Sequence, residues 1–175
     1  IYDLTHGRLS QKKQMSASVY DIEVDSLSGS IALAIGEGEY SWMDVQAIDV
    51  GSGELLWEKE LNGGFISILF SPDGANFATT DTKKEKRNNV KIWNTATGKL
   101  KVATDVSGYR DGLAFSPDGK RLMAHGEEVT VVDTTTGMKL ATIGEPGGIE
   151  TASFNSTNNT LITCGGATFR SWNVL

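Results

Sequence analysis

Hydrophobic residues recur along this chain in short runs that turn-favouring residues interrupt. One run spans Ile66–Phe70 and the next begins at Asn76, while another spans Val90–Trp93 before the chain resumes at Lys99–Ala103. Runs of about four to eight residues rich in Val, Ile, Phe and Trp, and bounded by Gly, Pro, Asn or Asp, are typical of β-strands joined by hairpins. No stretch shows a sustained 3.6-residue periodicity, so the pattern predicts an all-β protein with essentially no helix.

The turns between these runs repeat at a regular interval. An Asp or Asn follows an apolar residue at five anchors, which are Asp3, Asp49, Asn94, Asp133 and Asn173, and the first four are followed four positions later by glycine. The anchors are 46, 45, 39 and 40 residues apart. A second turn, Phe-Ser-Pro-Asp-Gly, lies between them at 70–74 and 115–119, where proline presets φ, aspartate caps the local backbone and glycine accepts positive φ. Each repeat therefore predicts four short strands.

Four antiparallel strands in each period of this length describe a blade of a β-propeller. We expect 1–175 to form a single β-propeller region, with a partial blade at 1–18, complete blades at about 19–63, 64–109 and 110–147, and an incomplete blade at 148–175. A ring of seven such blades needs about 300 residues, so the prediction is part of a larger ring. The alternatives are a ring of four blades closed within the chain and a ring completed by a second copy or by a different chain.

The order of the two turns carries a family resemblance. Phe-Ser-Pro-Asp-Gly, an apolar strand and then Lys91–Lys99 (Lys-Ile-Trp-Asn-Thr-Ala-Thr-Gly-Lys) together resemble the repeat of WD-repeat proteins, over nearly the whole chain. The repeats are degenerate, because the Gly-His dipeptide that the family places before the first inner strand is absent; His6 and His125 lie elsewhere. The buried His–Ser/Thr–Asp–Trp hydrogen-bond network of the family is therefore not carried over to this chain.

One repeat has a second resemblance. The segment Ala47–Trp57 is similar to the tryptophan-docking motif of pyrroloquinoline-quinone propellers, in which tryptophan packs between neighbouring blades. The equivalent positions in the following repeats are Val102 and Ala141, so only one repeat has the tryptophan. We interpret Trp57 as an inter-blade packing residue, since a large aromatic side chain suits a buried seam.

Loop lengths identify a candidate binding face. The interval from the first hairpin glycine to the next anchor is 20 residues for Gly29–Asp49 and Gly74–Asn94, but 14 for Gly119–Asp133. Two consecutive blades thus carry insertions between their second and third strands, one acidic and aromatic (36–44) and one basic (81–89). Aromatic residues and methionine beside charges are typical of interaction hot spots. The candidate binding residues are Tyr40, Trp42, Met43, Lys83, Lys84, Lys86 and Arg87. The alternative is a pair of solvated loops joined by a salt bridge.

Charge and composition exclude several other classes. The net charge of −6 argues against a general nucleic-acid binder, because phosphate contacts need concentrated Lys and Arg. The chain contains no run of 18 apolar residues, so the sequence predicts no membrane-spanning helix. Cys164 is the single cysteine, which excludes a disulfide framework, and we expect it to be a small buried hydrophobe. His125, Glu127 and Glu128 resemble metal-ligand spacing, but short turns often collect such residues, so we expect no metal there. The compartment stays open, with the cytoplasm as the default expectation.

These patterns together predict a non-catalytic scaffold that binds a protein or peptide through loops on one propeller face. We expect no catalytic residues and no cofactor, and we expect self-association or pairing with further blades to complete the ring. The alternative is a segment of a propeller enzyme, quinone-dependent or hydrolytic, whose catalytic residues lie outside this chain.

Overall fold

The computed structural model describes residues 2–3, 8–9, 18–25, 30–36, 43–61, 64–82, 88–106, 112–126, 128–144, 147–157 and 160–174. These residues form strands and turns, and no helix occurs among them. The strands are β1 (Tyr2–Asp3), β2 (Arg8–Leu9), β3 (Ser18–Val24), β4 (Ser30–Gly36), β5 (Met43–Asp49), β6 (Leu55–Leu61), β7 (Gly64–Phe70), β8 (Asn76–Thr82), β9 (Asn88–Asn94), β10 (Leu100–Val106), β11 (Leu113–Phe115), β12 (Arg121–His125), β13 (Val129–Asp133), β14 (Lys139–Ile143), β15 (Thr151–Phe154), β16 (Thr160–Gly165) and β17 (Thr168–Asn173).

The strands pair antiparallel with their neighbours in the chain. β3–β6 form the first blade, β7–β10 the second and β11–β14 the third, each with four strands. β15–β17 form a three-stranded fourth blade, and β1 pairs with β2 in a separate hairpin. The all-β prediction and the four-stranded antiparallel blades are confirmed. No pairing of β2 with β17 occurs within the described residues, so they do not show a ring of four blades closed by β2.

The core lies between the blades. Successive residues of a strand point to opposite faces of its sheet, so Phe77 packs toward the first blade whereas Ala78 packs toward the third. Leu122 and Met123 divide in the same way between the second and fourth blades. Central strands are therefore apolar on both faces, which explains the continuous hydrophobic runs in the sequence. At roughly 1.5–3 kcal/mol for each large buried side chain, these seams dominate the stability.

The Phe-Ser-Pro-Asp-Gly turn folds as its sequence predicts. In the second blade, the Ser71 hydroxyl donates to Asp73 Oδ1 at 2.6 Å, and the Ala75 amide donates to the same oxygen at 3.0 Å. Gly74 has a φ of 67°, which a residue with Cβ rarely adopts. The third blade repeats the hydroxyl–carboxylate bond between Ser116 and Asp118 at 2.6 Å. These hairpins place the first and second strands of the second and third blades in register.

Candidate functional site

The predicted binding residues lie on the loops that join β4 to β5 and β8 to β9. Met43 is the first residue of β5, and its backbone pairs with Gly36 and Leu61. The other six, as well as the Met43 side chain, lie outside the described residues: Tyr40, Trp42, Lys83, Lys84, Lys86 and Arg87. Their grouping into one binding face stays a prediction.

The strands below these two loops are longer than their counterparts. β4, β5, β8 and β9 each have seven residues, whereas β12 and β13 of the third blade each have five. Much of the additional sequence therefore extends the hairpins. At about 3.4 Å per residue, two more residues make each of these strands about 7 Å longer than its counterpart. The acidic and basic loops thus stand on the two tallest blades.

The strands at the bases of the two loops carry buried apolar side chains. Val45 and Leu61 of the first blade are buried, and so are Val90 and Val106 of the second. Val45 and Leu61 belong to the apolar cluster that joins the first blade to the second. Asp44 lies opposite Glu60 in the β5–β6 register, so the acidic character of the first loop continues into its supporting strands. The two loops, which have opposite charge in the sequence, therefore connect strands of two blades that pack against each other.

Trp57 of β6 closes the seam between these blades. Its ring stacks on Phe77 with centroids 5.2 Å apart, and Phe77 stacks in turn on Trp93 at 6.0 Å. The indole Nε1–H of Trp57 donates to the carbonyl oxygen of Thr95 at 2.7 Å. Aromatic pairs of this kind contribute about 0.5–1.5 kcal/mol beyond their buried area. The interpretation of Trp57 as an inter-blade packing residue is confirmed.

The turn glycine of the second blade forms part of the seat for Trp57. A Cβ on Gly98 would lie 2.7 Å from Trp57 Cδ2, so the ring fits only because that atom is missing. The third blade has a smaller version, in which a Cβ on Gly137 would lie 2.7 Å from Val102 Cγ1. The sequence identified these glycines as turn residues only, since their contacts with the preceding blade have no local signature.

Two tryptophans, the buried Trp93 and the half-buried Trp172, hydrogen-bond within their own blades. Trp93 Nε1–H donates to Thr79 Oγ1 at 2.9 Å, and Trp172 Nε1–H donates to Thr163 Oγ1 at 2.9 Å. In the third blade the corresponding residues are apolar, Val132 and Ala124. Sequence reasoning missed these pairs because it treated the histidine-containing network as a unit. A tryptophan–threonine hydrogen bond is present in the second and fourth blades.

Carboxylates in the turns are stabilised by local donors. Hydrogen bonds from the Ser52 amide and hydroxyl lower the pKa of Asp49, and bonds from the Thr136 amide and hydroxyl lower that of Asp133. The Ser71 hydroxyl lowers the pKa of Asp73, and the Ser116 hydroxyl lowers that of Asp118. The four aspartates are ionised acceptors that hold the turns in shape.

One strand places several carboxylates on a single face. Asp21 and Glu23 alternate along β3, and Asp25 directly follows the strand. Asp21 Oδ2 accepts a hydrogen bond from the Ile68 amide of the second blade at 3.3 Å. Burial, and secondly the charge of Asp21, raise the pKa of Glu23. The Asp25 carboxylate packs against Gly74 of the next blade. No repeating pattern predicted this row, because the corresponding residues of the other blades are not acidic.

Of the three residues with metal-ligand spacing, Glu127 lies outside the described residues, and His125 contacts the fourth blade. His125 is buried, and its Nε2–H donates to the Ile149 carbonyl at 3.1 Å, which links the third blade to the fourth. No group of three or more His, Cys, Asp or Glu suited to a metal occurs in the described part of the chain. Cys164 is half-buried, contrary to the expectation of burial, because its face of the fourth blade has no described neighbour. The described residues also include no helix that would span a bilayer.

Solved structures share this architecture at low sequence identity. The propeller of Dos1 is 14% identical with a TM-score of 0.75, and the match covers 90% of this chain and 44% of that one. The C-terminal WD40 domain of Sif2 is 20% identical with a TM-score of 0.68, covering 89% and 43%. A hydrazine synthase of Kuenenia stuttgartiensis is 15% identical with a TM-score of 0.66, covering 86% and 57%.

These similarities confirm the β-propeller fold class. This chain spans about half the length of each of the three structures. No protein-family model matches it, and no curated protein sequence does. The fold is therefore established by shape, while the activity and the partners are matters for proposal.

Proposed function

We propose that this chain is part of a non-catalytic β-propeller scaffold that binds a protein or peptide through the raised loops of its first and second blades. The proposal is carried by the lengths of two hairpins, β4–β5 and β8–β9. Each of their strands has seven residues, whereas each strand of the β12–β13 hairpin has five. Rigid blades with variable loops are a common arrangement for binding. One loop supplies aromatic side chains and the other supplies cations, a combination suited to an interface centre with a charged rim.

The experiment is a quantitative pull-down with the immobilised chain. Trp42→Ala combined with Lys83→Glu, Lys84→Glu and Lys86→Glu should reduce partner recovery, because the substitutions remove the proposed anchor and reverse the basic charge. The matched control is Glu128→Ala, which lies in the short turn between β12 and β13. Unchanged recovery with the loop variant, or equal loss with the control, would refute the loop face.

We also propose that the repeats are of the WD type. The support is the turn order in the sequence, the Trp93–Thr79 and Trp172–Thr163 hydrogen bonds, and the similarity of shape to a WD40 domain. In this proposal the ring is completed by blades that pack on the exposed apolar faces of the first and fourth blades.

A propeller enzyme is the second candidate, and the packing of Trp57 between blades favours its quinone-dependent form. Absorbance spectroscopy of the protein purified with added pyrroloquinoline quinone tests this candidate. An absorbance spectrum that is shifted relative to free quinone would support the enzyme. A spectrum identical to that of free quinone would count against it.

A further inference from the structure

Exposed apolar side chains recur at one position of three consecutive blades. The three residues after the turn glycine are Glu-Leu-Leu at 54–56, Lys-Leu-Lys at 99–101 and Met-Lys-Leu at 138–140, and all nine are exposed. We call these nine residues the outer belt. Within the described residues, the large exposed apolar side chains fall into two sets: five in the belt, and four on the faces of β3 and β17. The belt is thus the apolar surface that blade packing does not explain.

The belt is continuous from blade to blade. Trp57 directly follows Leu56 and packs against Gly98, which directly precedes Lys99. In the same way, Val102 follows Lys101 and packs against Gly137, which precedes Met138. The contacts that seal the seams therefore bring each belt triplet beside the next.

The charge of the belt changes from negative to positive along its length. The first blade contributes Glu54, whereas the second and third contribute lysines. In the described part of the chain, Lys99 and Lys139 enter no ion pair, and Lys101 Nζ donates to Asn76 Oδ1 at 2.7 Å. Hydrogen bonds from Ser71 and Ala75, and lastly the charge of Lys101, lower the pKa of Asp73, so Lys101 already interacts with that carboxylate. The belt lysines left for a partner are Lys99 and Lys139. Positive charge beside Leu100, Met138 and Leu140 is therefore available to a partner.

We infer that the second and third blades bind an acidic peptide with apolar side chains along the outer belt, an inference that rests on the proposed scaffold function and names a partner class for a second surface. Carboxylates of the peptide match Lys99 and Lys139. Apolar side chains of the peptide cover Leu100, Met138 and Leu140, which are 49%, 65% and 46% exposed. An uncharged apolar partner would leave the lysines desolvated without compensation, and a polyanion would leave the apolar side chains uncovered.

The test measures fluorescence anisotropy of a labelled peptide of glutamate, leucine and serine, beside the same peptide with lysine in place of glutamate. The glutamate peptide should bind and the lysine peptide should not. Leu140→Ser and Lys139→Glu should each weaken binding about tenfold, the effect of losing one favourable contact of ordinary strength. Binding should also weaken as salt rises, because exposed charges are screened.

The chain offers a matched control in Leu56→Ser. Leu56 occupies the same repeat position as Leu140 and is 49% exposed, but it lies at the glutamate end of the belt. It should leave affinity unchanged. Equal binding of both peptides, no loss in Leu140→Ser and Lys139→Glu, or equal loss in Leu56→Ser overturns the inference. Binding of phosphatidylserine vesicles with the same loss in Lys139→Glu overturns it in favour of a membrane surface.

The two proposals fail separately. The loop face fails if Trp42→Ala with the lysine reversals leaves partner recovery unchanged, and the belt fails if Lys139→Glu leaves peptide affinity unchanged. Circular dichroism of each variant confirms that a lost affinity does not reflect a lost fold.

Discussion

At the scale of single residues, buried polar atoms between the blades constrain the choice of side chain most strongly. Trp93 is buried, and its Nε1–H donates to Thr79, whose side chain is fully buried. A buried donor without an acceptor costs more than a made hydrogen bond contributes, so each partner constrains the other. The equivalent residues of the third blade, Val132 and Ala124, are buried and carry no polar side-chain atom that needs a partner.

Thr79→Val should destabilise the protein by about 1–3 kcal/mol, because it removes the acceptor and leaves the Trp93 N–H buried without a partner. Urea unfolding followed by circular dichroism measures the change. In a Trp93→Phe background the same valine substitution should cost less, since no donor remains. An equal cost in both backgrounds would show that the hydrogen bond contributes nothing.

Acid should weaken the turns. The folded-state pKa values of Asp49, Asp73, Asp118 and Asp133 lie below the ordinary value of 3.8. Their contribution to stability is therefore present above the unfolded pKa and is lost as the pH falls through the folded pKa. We expect the free energy of unfolding to decline below about pH 4, modestly because solvent screens these exposed groups. The decline should be shallower in Asp73→Asn/Asp118→Asn, and identical pH profiles would contradict this assignment.

At the scale of strands, the outer strands share one irregularity. β6, β10 and β14 each carry a β-bulge at the same position, with Leu56, Lys101 and Leu140 as the extra residues. Bulges interrupt pairing and blunt a sheet edge against strand addition. Binding along the outer belt is therefore expected to use side chains, and not a fifth strand added to a blade.

The seat for Trp57 predicts a difference between two glycines with similar backbones. Gly98 has a φ of +60° and would place a Cβ 2.7 Å from Trp57, whereas Gly166 has a φ of +56° and open space around it. Gly166→Ala should cost only the backbone strain, roughly 1–2 kcal/mol. Gly98→Ala should cost clearly more, because the ring must also move. Thermal unfolding of both variants measures the difference, and equal losses would contradict the proposed seat.

At the scale of the whole molecule, the described blades leave apolar side chains exposed on the outer faces of the first and fourth blades. Val19, Ile22 and Val24 on β3 are exposed, and Phe169 on β17 is 74% exposed, whereas the three internal seams are apolar and closed. In the proposed ring, further blades or a second copy cover these faces.

The chain studied alone should therefore self-associate in a concentration-dependent way. Ile22→Glu and Phe169→Glu should each weaken association, because a charge on an apolar docking face is costly to bury. Analytical ultracentrifugation measures the effect, with Ala96→Glu in an exposed turn as the control. A monomer at every concentration would refute the association of these faces.

Local chemistry explains how much of this was predictable. The period of Asp/Asn turns and the Phe-Ser-Pro-Asp-Gly hairpins depend on residues close in sequence, so the strands, the all-β class and the blade-like repeat could be predicted from them. The strands are longer than predicted. Polar residues at the end of β8, such as Thr80–Thr82, pair with residues of β9 that continue equally far. The binding residues Tyr40, Trp42 and Lys83 were chosen from loop composition, and their role stays a prediction.

By itself, therefore, the sequence determined the repeat, its turns and the antiparallel hairpins, because those interactions join residues only a few positions apart. The tertiary structure alone decided which residues meet across blades: Trp57 over Gly98, His125 on the Ile149 carbonyl, and the alignment of the belt triplets. Those contacts join residues separated by a large part of a repeat. Their partners are selected by packing between sheets, for which the sequence has no local signature.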